Sequence, residues 1–352
     1  MTTSSRGRQA STPTEVPAQG WWDIFVRTAK EAKADGVSLL AAGVAFFGLL
    51  ALVPALAATV GFYGMFADPA TAGDKVEDLL GAAPAEVRDL VRSQLESITE
   101  SPNRQAGIAA IVGLALALWS ASAGMKHLLE AINRAYDESE SRRFVKLRGL
   151  AILLTLGAIA FLLATVLVIT VLPAALADSS LEGPARTVIN IARWPLLAAA
   201  MAVALGVLYR WGPDRDEPKW RWTSTGSVIA TVLWLGGSAL FSLYAANFAT
   251  YNETYGSLGA VVVAMLWLYL TAYAVIIGAE INAEAERQTV VDTTEGRHRP
   301  LGHRGAHAAD TVGPTAQEVR SGTPPDTNMA GTEMPGRDDT DPGSGTRRPA
   351  DR

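Results

Sequence analysis

The chain has 352 residues, of which 49% are hydrophobic and 18% are charged, and its formal net charge is −5 at neutral pH. It contains no cysteine, which excludes disulfides, thiolate zinc sites and cysteine nucleophiles. Its basic residues are dispersed along the chain and form no single stripe, so nothing indicates a nucleic-acid partner.

The two ends of the chain are polar and poor in large apolar side chains. Residues 1–20 are rich in Ser, Thr, Pro and Gly, and residues 288–352 carry scattered Arg, Asp, Thr, Pro and Gly. Such segments bury too little apolar surface to offset the conformational entropy that folding removes. We therefore expect a disordered N-terminal arm and a disordered cytoplasmic tail. No cleavable signal peptide is apparent, because the first apolar run begins only near Val37.

The segment from Trp21 to about Asp35 has the pattern of a two-faced helix. Its apolar side chains fall on one side of a helical wheel and most of its charged ones on the other. The pattern favours an interfacial helix that lies among the lipid headgroups with its tryptophan pair at the boundary. The alternative is a simple cytoplasmic extension of the first membrane span.

Six apolar runs follow, each long enough to cross a hydrocarbon core of about 30 Å. We predict an all-α, polytopic membrane bundle over residues 21–287, with two disordered tails. Pro54 lies in the middle of the first run and is the natural place for a kink. The predicted spans are Val37–Phe66, Ala106–Ala123, Leu150–Leu172, Val188–Leu208, Trp222–Phe248 and Ser257–Ala279.

The charges of the connecting loops predict the orientation of the spans. The segment before the first span and the loops after the second and fourth are rich in Lys and Arg, whereas the alternate loops are poor in bases or rich in acids. By the positive-inside rule the basic segments are cytoplasmic, so both termini lie in the cytoplasm of a bacterial plasma membrane. The acidic outer loop at residues 67–105 predicts a further amphipathic helix after Pro84.

The stretch from Trp119 to Tyr136 carries the second span out of the membrane. Small residues from Ser120 onward permit close helix contact. Asn133, Arg134 and Tyr136 follow within about one turn of each other. One interpretation is a helix end anchored at the headgroups by Arg and Tyr. The other is a binding surface for an anionic headgroup or substrate.

The turn between the fifth and sixth spans is rich in tyrosine and asparagine. Tyr251 and Tyr255 suit a membrane interface, and Asn252 and Gly256 suit the geometry of a tight turn. Either the segment is a packed interfacial hairpin, or it forms the polar lining at the outer mouth of a cavity.

Glu280 lies near the cytoplasmic end of the last span. An acid at such depth normally faces protein or water and is a candidate for function. It could pair with Arg134 or Arg148, which the predicted topology places on the same side. Glu280 is then either a tie between helices or a coupling or substrate-binding group.

Motifs for soluble enzymes are absent from the sequence. There is no P-loop, no dinucleotide glycine fingerprint and no His-Glu-x-x-His, and we expect no cofactor. The four histidines are His127 and three in the predicted tail, which is no frame for a catalytic metal. We therefore expect a protein that is not an enzyme.

Four motifs together resemble the YihY/virulence factor BrkB family of bacterial inner-membrane proteins, over roughly residues 22–287. They are the segments 41–54, 118–122 with 133–136, 251–259 and 278–284, the last containing Asn282. The sequence departs from the family at Phe46-Phe47, where many members have tyrosine. The resemblance implies a six-span protein linked in some members to serum resistance or envelope integrity. Some members are labelled ribonuclease BN, which the residues of this chain do not support.

Three functions are therefore in competition. The first is transport or translocation of a lipid or small amphiphile, which Glu280, the Tyr251–Tyr255 turn, the Pro54 kink and the basic inner loops favour. The second is a non-transporting scaffold that recruits envelope proteins. The third, a nuclease, is the least supported. Membrane lipids are the expected partners in each of the first two.

Overall fold

A computed structural model describes residues 6–64, 104–171, 184–248 and 257–322 of the chain. These residues form helices and turns, and no β-strand occurs among them, which confirms the all-α prediction. A short 3-10 helix at Pro13–Glu15 precedes the main helices. The α-helices are α1 (Ala18–Ala34), α2 (Val37–Gly64), α3 (Arg104–Ala135), α4 (Phe144–Val166, continued by a π-helical turn at Leu167–Val171), α5 (Pro184–Trp211), α6 (Trp220–Phe248), α7 (Ser257–Glu286), α8 (His307–Asp310) and α9 (Ala316–Ser321).

Five of the described helices, α3 to α7, are long and apolar enough to cross a membrane. The sixth candidate is the pair α1 and α2, which pass the same test together but meet at an angle of 63°. The polytopic helical bundle is therefore confirmed. Two helices extend well past the predicted span ends: α3 continues to Ala135 and α7 to Glu286.

The bend in the first candidate span lies between α1 and α2. Gly36 has a φ of +65°, a left-handed conformation that glycine adopts without steric cost. The amide of Asp35 donates to the carbonyl of Glu31 at 2.8 Å and closes α1. Beyond the bend α2 runs through Pro54 as one helix. The sequence predicts the kink of the first span at Pro54, whereas the bend in the structure is at Gly36, 18 residues earlier in the chain.

Helix α7 is the centre of the bundle and packs against α1, α2, α3 and α6. Its crossing with α6 is close because Gly226 and Gly278 face each other. A Cβ on Gly226 would lie 2.1 Å from the carbonyl oxygen of Gly278. Such small-residue contacts let two helix backbones approach inside a membrane.

Residues 6–17 and 287–322 fold together over one end of the bundle, and we call them the terminal cap. The amide of Val290 donates to the carbonyl of Arg8 at 2.9 Å. The hydroxyl of Thr289 donates to the carbonyl of Ala10 at 2.7 Å. The Arg8 guanidinium is 6% exposed and donates to the Gly313 carbonyl at 2.7 Å. The predicted disorder is therefore wrong for residues 6–20 and 288–322.

The cap folds on polar contacts in place of a large apolar core. Arg304 is 2% exposed and donates to the carbonyls of Val290 and Ala309 at 2.6 and 2.7 Å. A capping box between Thr315 and Glu318 begins α9. The prediction failed because it counted apolar side chains only, whereas buried arginines satisfy the backbone carbonyls of this segment. The rest of the two tails, residues 1–5 and 323–352, lies outside the described ranges.

Candidate functional site

The last two turns of α7 carry four polar side chains that are almost completely buried. Glu280, Asn282, Glu284 and Glu286 are exposed by 2%, 0%, 1% and 0%. The spacing of four residues places Glu280 above Glu284 on one face and Asn282 above Glu286 on another. Burial of so many carboxylates requires partners, and three of the four residues have them.

Glu284 is paired with α1. The Arg27 guanidinium donates from Nε to Glu284 Oε2 and from Nη2 to the Glu284 carbonyl at 2.8 Å. Its remaining donors reach the side chain of Gln288 and the carbonyl of Pro314, both at 2.9 Å. Arg27 therefore joins α1, α7 and the terminal cap. Of the charged residues of α1, Asp23 and Arg27 are buried, whereas Lys30 and Lys33 are exposed. The exposed large apolar side chains of α1 are Trp22 and Phe25. Placement of α1 in the headgroup layer stays a prediction.

Glu286 is paired with the loop between α5 and α6. Arg215 donates to its two oxygens at 3.1 and 2.7 Å, and both side chains are fully buried. The guanidinium also lies 5.0 Å from the centre of the Tyr136 ring. Burial and, next, the Glu286 carboxylate raise the pKa of the Tyr136 hydroxyl. Tyr136 is completely buried at the cap end of the bundle. It therefore does not anchor the end of α3 among the lipid headgroups.

Asn282 fastens α7 to the first turns of α6. Its Oδ1 accepts from the amide of Gly226 at 2.7 Å, and its Nδ2 donates to the carbonyl of Thr223 at 3.1 Å. The hydroxyl of Tyr209 adds a bond from α5 to the carbonyl of Val275 at 2.7 Å. Both α6 contacts of Asn282 depend on the close approach at Gly226, which spacing along the sequence does not reveal.

Glu280 has neither of the partners that the sequence suggested. Arg134 pairs with Asp35 at 2.9 Å. Arg148 donates to the carbonyl of Trp119 and lies 4.1 Å over its ring. The predicted pairing of Glu280 with either arginine is therefore wrong, because both are held by nearer groups at the ends of their helices.

The other predicted residues on α3 are separated from one another. Trp119 is 46% exposed on the side of the bundle, next to the exposed Ser120. Asn133 is buried and joins two loops, since its Oδ1 accepts from the Asp214 amide at 2.8 Å and its Nδ2 donates to Glu140 at 2.9 Å. The predicted outer-turn residues lie outside the described ranges: Tyr251, Asn252, Tyr255 and Gly256.

A groove that the sequence did not reveal runs between α1, α6 and α7, and we call it the α1–α7 groove. Its volume is about 850 Å³. Apolar side chains form most of its walls, among them Phe25, Leu233 and Ile277. From Ile281 to Tyr269 it follows α7 for twelve residues, or about 18 Å at 1.5 Å per residue.

A few polar groups line the groove on α1, α2 and α7. Lys33 is exposed and is the one charged residue among the described residues that line the groove. The hydroxyl of Thr28 is buried and has no hydrogen-bond partner within the described part of the chain. Ser38 and Tyr269 share a hydrogen bond of 2.8 Å across the groove, from α2 to α7. A largely apolar groove whose lining includes one cation and an unsatisfied hydroxyl suits an amphiphile with an anionic head.

The described residues contain no group of three or more His, Asp or Glu side chains arranged to hold a metal ion. Of the three buried glutamates of α7, Glu284 and Glu286 have arginine partners, and Glu280 has none within the described part of the chain. The chemistry available at this end of the bundle is therefore the binding of charge and polar groups.

Comparison with known proteins places the chain among bacterial membrane proteins. It is 34% identical over 256 residues to YfkH of Bacillus subtilis, named a ribonuclease-like protein, a match that covers 69% of this chain and 87% of YfkH. It is 27% identical over 275 residues to a UPF0761 membrane protein of Rhodospirillum centenum, covering 78% of this chain and 58% of that protein. A UPF0761 membrane protein of Alteromonas mediterranea is 26% identical over 263 residues, with 74% and 86% covered. No solved structure matches the chain.

The model of one protein family, described as Virulence factor BrkB, matches residues 28–302. This range contains helices α2 to α7, both sides of the α1–α7 groove and the four buried polar residues of α7. The match covers far more than half of the chain, and the fold is the helical membrane bundle that the resemblance implies. The chain therefore belongs to the Virulence factor BrkB family of membrane proteins.

Proposed function

We propose that this protein binds an anionic amphiphile, a membrane lipid or a lipid-like solute, in the α1–α7 groove and moves it across the membrane. The observation that carries the proposal is that Lys33 and the unsatisfied Thr28 belong to the lining of an otherwise largely apolar groove of about 850 Å³. Ligand sites for small molecules have volumes of roughly 300–1,000 Å³ with a few convergent polar groups. Transport of this kind would serve envelope integrity and needs no enzymatic step.

The placement of the groove supports the same function. Its walls on α6 and α7 belong to candidate membrane spans, while α1 leaves the bundle at 63°. A groove of about 18 Å along α7 covers more than half of a hydrocarbon core of about 30 Å. An acyl chain in the groove would thus stay in an apolar environment while its head meets Lys33.

We also propose that the protein lies in the plasma membrane with both termini in the cytoplasm. The basic loops predict this orientation by the positive-inside rule. The contacts of the cap support it, because residues 6–17, the loops after α3 and α5, and residues 287–322 meet at one end of the bundle. Joining bonds include Asp214 to Asn133, Arg215 to Glu286 and Val290 to Arg8.

A lipid-binding measurement on the full chain in detergent tests the proposal. We expect phosphatidylglycerol to raise the melting temperature more than phosphatidylcholine, because a ligand that binds only the folded state stabilises it by mass action. Lys33→Gln should weaken phosphatidylglycerol binding about fivefold, the value of one exposed ion pair. The matched control is Lys30→Gln, on the same helix and outside the groove lining.

A second pair of variants tests the groove by filling it. Ala29 on α1 is exposed and lines the groove, whereas Ala34 is exposed and does not. Ala29→Trp should abolish transbilayer movement of a fluorescent phosphatidylglycerol in proteoliposomes, and Ala34→Trp should not. Equal shifts with both lipids, together with unchanged movement in Ala29→Trp, would refute the proposal. A stable protein partner recovered by crosslinking, with no lipid bound, would instead favour the scaffold alternative.

A further inference from the structure

Glu280 is a buried acid without a partner. The residue is 2% exposed, and its Oε1 has no hydrogen-bond partner within the described part of the chain. The Tyr136 hydroxyl, on which Glu280 acts electrostatically, is also buried, and Asn282 is the side chain placed to share a hydrogen bond with it. A buried carboxyl oxygen that no donor satisfies indicates a missing ligand or proton.

The charged groups that act most strongly on Glu280 are all acidic. They come from α1, the bend after it, the loop after α3, and α7 itself: Glu31, Asp35, Asp137 and Glu284. Helix α2 has no charged residue, and the one charged residue of α6, Arg221, is exposed in its first turn. The charged side chains with the strongest electrostatic effect on Glu280 are therefore all negative, and they come from four different parts of the chain.

The arginines near this cluster are already held by other acids. Arg134 pairs with Asp35 at 2.9 Å, and Arg27 and Arg287 both pair with Glu284. His307, on α8, lies 3.8 Å from Asp137. Lys30 and Lys33, on α1, are exposed, and none of the ion pairs of the described residues includes Glu280. An ionised, unpaired carboxylate at this depth would be strongly destabilising.

We infer that Glu280 is a proton-binding site that exchanges its proton with water at the cap end of the bundle. The bound species is a proton and not a chelated metal ion, because the described residues offer no group of three metal-ligating side chains here. The proton comes from bulk water, converts the carboxylate to the neutral acid, and returns to water. Asp35 and Asp137, whose charges act on Glu280, have side chains that are 11% and 46% exposed, so we expect the proton to exchange with water through them.

The position of Glu280 connects this site to the α1–α7 groove. Ile277 and Ile281, on either side of Glu280 along α7, line the groove. Lys33, in the lining of the groove, is two residues from Asp35. A change of charge at Glu280 would therefore act on residues that line the groove on α7 and on α1. Binding of a proton would in this way be coupled to binding of the amphiphile. This coupling rests on the proposed function, whereas the proton site itself does not.

Infrared spectroscopy of the full chain in phosphatidylcholine vesicles tests the proton site. At neutral pH we expect a protonated-carboxyl band that is present in the wild type, lost in Glu280→Gln and retained in Glu130→Gln. Glu130 is the matched control because it is an exposed acid on α3. A spectrum of wild type minus Glu280→Gln that shows only ionised-carboxylate bands would overturn the inference.

A second variant keeps the test valid if Glu280→Gln does not fold. Asp35→Asn removes one neighbouring negative charge and frees Arg134, so the protonated-carboxyl band should be lost at lower pH than in the wild type. If the protonated-carboxyl band is lost at the same pH in Asp35→Asn and in the wild type, the inference is also overturned. If the Glu280 band is present and phosphatidylglycerol binds at no pH, the proposed function fails and the proton site stands.

Discussion

Arg27 on α1 and Glu284 on α7 form an ion pair in which both side chains are almost fully buried, exposed by 1% and 2%. They lie 257 positions apart in the chain. Glu284 accepts a second bond, at 2.6 Å, from Arg287 in the cap. The pair is therefore the centre of a network that holds α1 against the bundle.

Removal of Arg27 should destabilise the protein strongly. In Arg27→Met the Glu284 carboxylate stays buried and keeps only Arg287 of its two arginine partners among the described residues. We expect the free energy of unfolding to fall by about 3 kcal/mol. Thermal unfolding in detergent measures this loss. The double variant Arg27→Met/Glu284→Met should recover most of it, since neither charge of the pair is then left buried without the other.

Arg134→Met is the control for this experiment. The Arg134 side chain is 63% exposed in its pair with Asp35, so its loss should cost less than about 1 kcal/mol. Equal destabilisation by the two arginine substitutions would contradict the role given to the buried pair.

The close crossing of α6 and α7 should not tolerate a methyl group. Gly226→Ala places a Cβ 2.1 Å from the Gly278 carbonyl and 2.6 Å from the Asn282 side chain. We expect it to cost about 3 kcal/mol or to prevent folding, because neither helix backbone can yield cheaply. Gly236→Ala, on the same helix with no heavy atom within 4 Å of its Cβ, should instead stabilise by about 0.5 kcal/mol. Similar expression and melting temperatures for both variants would refute this account.

Glu138 should make the folded protein less stable as pH rises. Burial raises the pKa of its carboxyl above the ordinary value of 4.5, although the His307 amide, which donates to it at 2.7 Å, acts in the opposite direction. The folded state therefore binds a proton more tightly than the unfolded state, and its stability falls as pH rises above that value. Glu138→Gln keeps an acceptor oxygen and should lose this pH dependence.

The measurement for Glu138 is the melting temperature of both proteins at several pH values from acidic to neutral. The difference, variant minus wild type, should increase with pH. Ser139→Ala, at the exposed neighbouring position, controls for local disruption of the loop. A difference that stays constant or decreases with pH would show that Glu138 is not the group responsible.

Truncation should distinguish the two parts of the C-terminal region. A stop after Arg287 removes two partners of Arg27, Gln288 and the Pro314 carbonyl, and the Gly313 partner of Arg8. We expect it to cost roughly 3–6 kcal/mol, from three lost bonds to buried charged groups. A stop after Gly322 leaves all these contacts and should not change the melting temperature. A tail that is dispensable from residue 288 onward would contradict the cap described here.

The sequence predicts the membrane helices well because their apolar runs depend only on local composition. The ends of these helices are predicted poorly from the sequence. The sequence predicts the last span at Ser257–Ala279 because Glu280, Asn282, Glu284 and Glu286 follow it, whereas the helix continues to Glu286. These side chains are buried through partners such as Arg27 and Arg215, which are distant in sequence and not identifiable from spacing.

The cap was missed for a related reason. Residues 288–322 contain few large apolar side chains, which is typical of disorder. Their order depends on arginines such as Arg304 that donate to backbone carbonyls, and composition alone does not distinguish such residues from solvated ones. The Thr315-x-x-Glu318 capping box was the one local signal in this segment. The α1–α7 groove had none, because it exists only where three helices meet.

The distance of 257 positions between Arg27 and Glu284 has a consequence for the synthesis of the protein. At about 5–20 residues per second, a ribosome needs roughly 10–50 s to make the chain between them. During that interval α1 carries Arg27 without the partners that bury it, whereas Arg6, the ion-pair partner of Asp23, is already made. We therefore expect the nascent helix to stay at the membrane surface, and docking of α1 to follow the insertion of α7 as the last step of assembly.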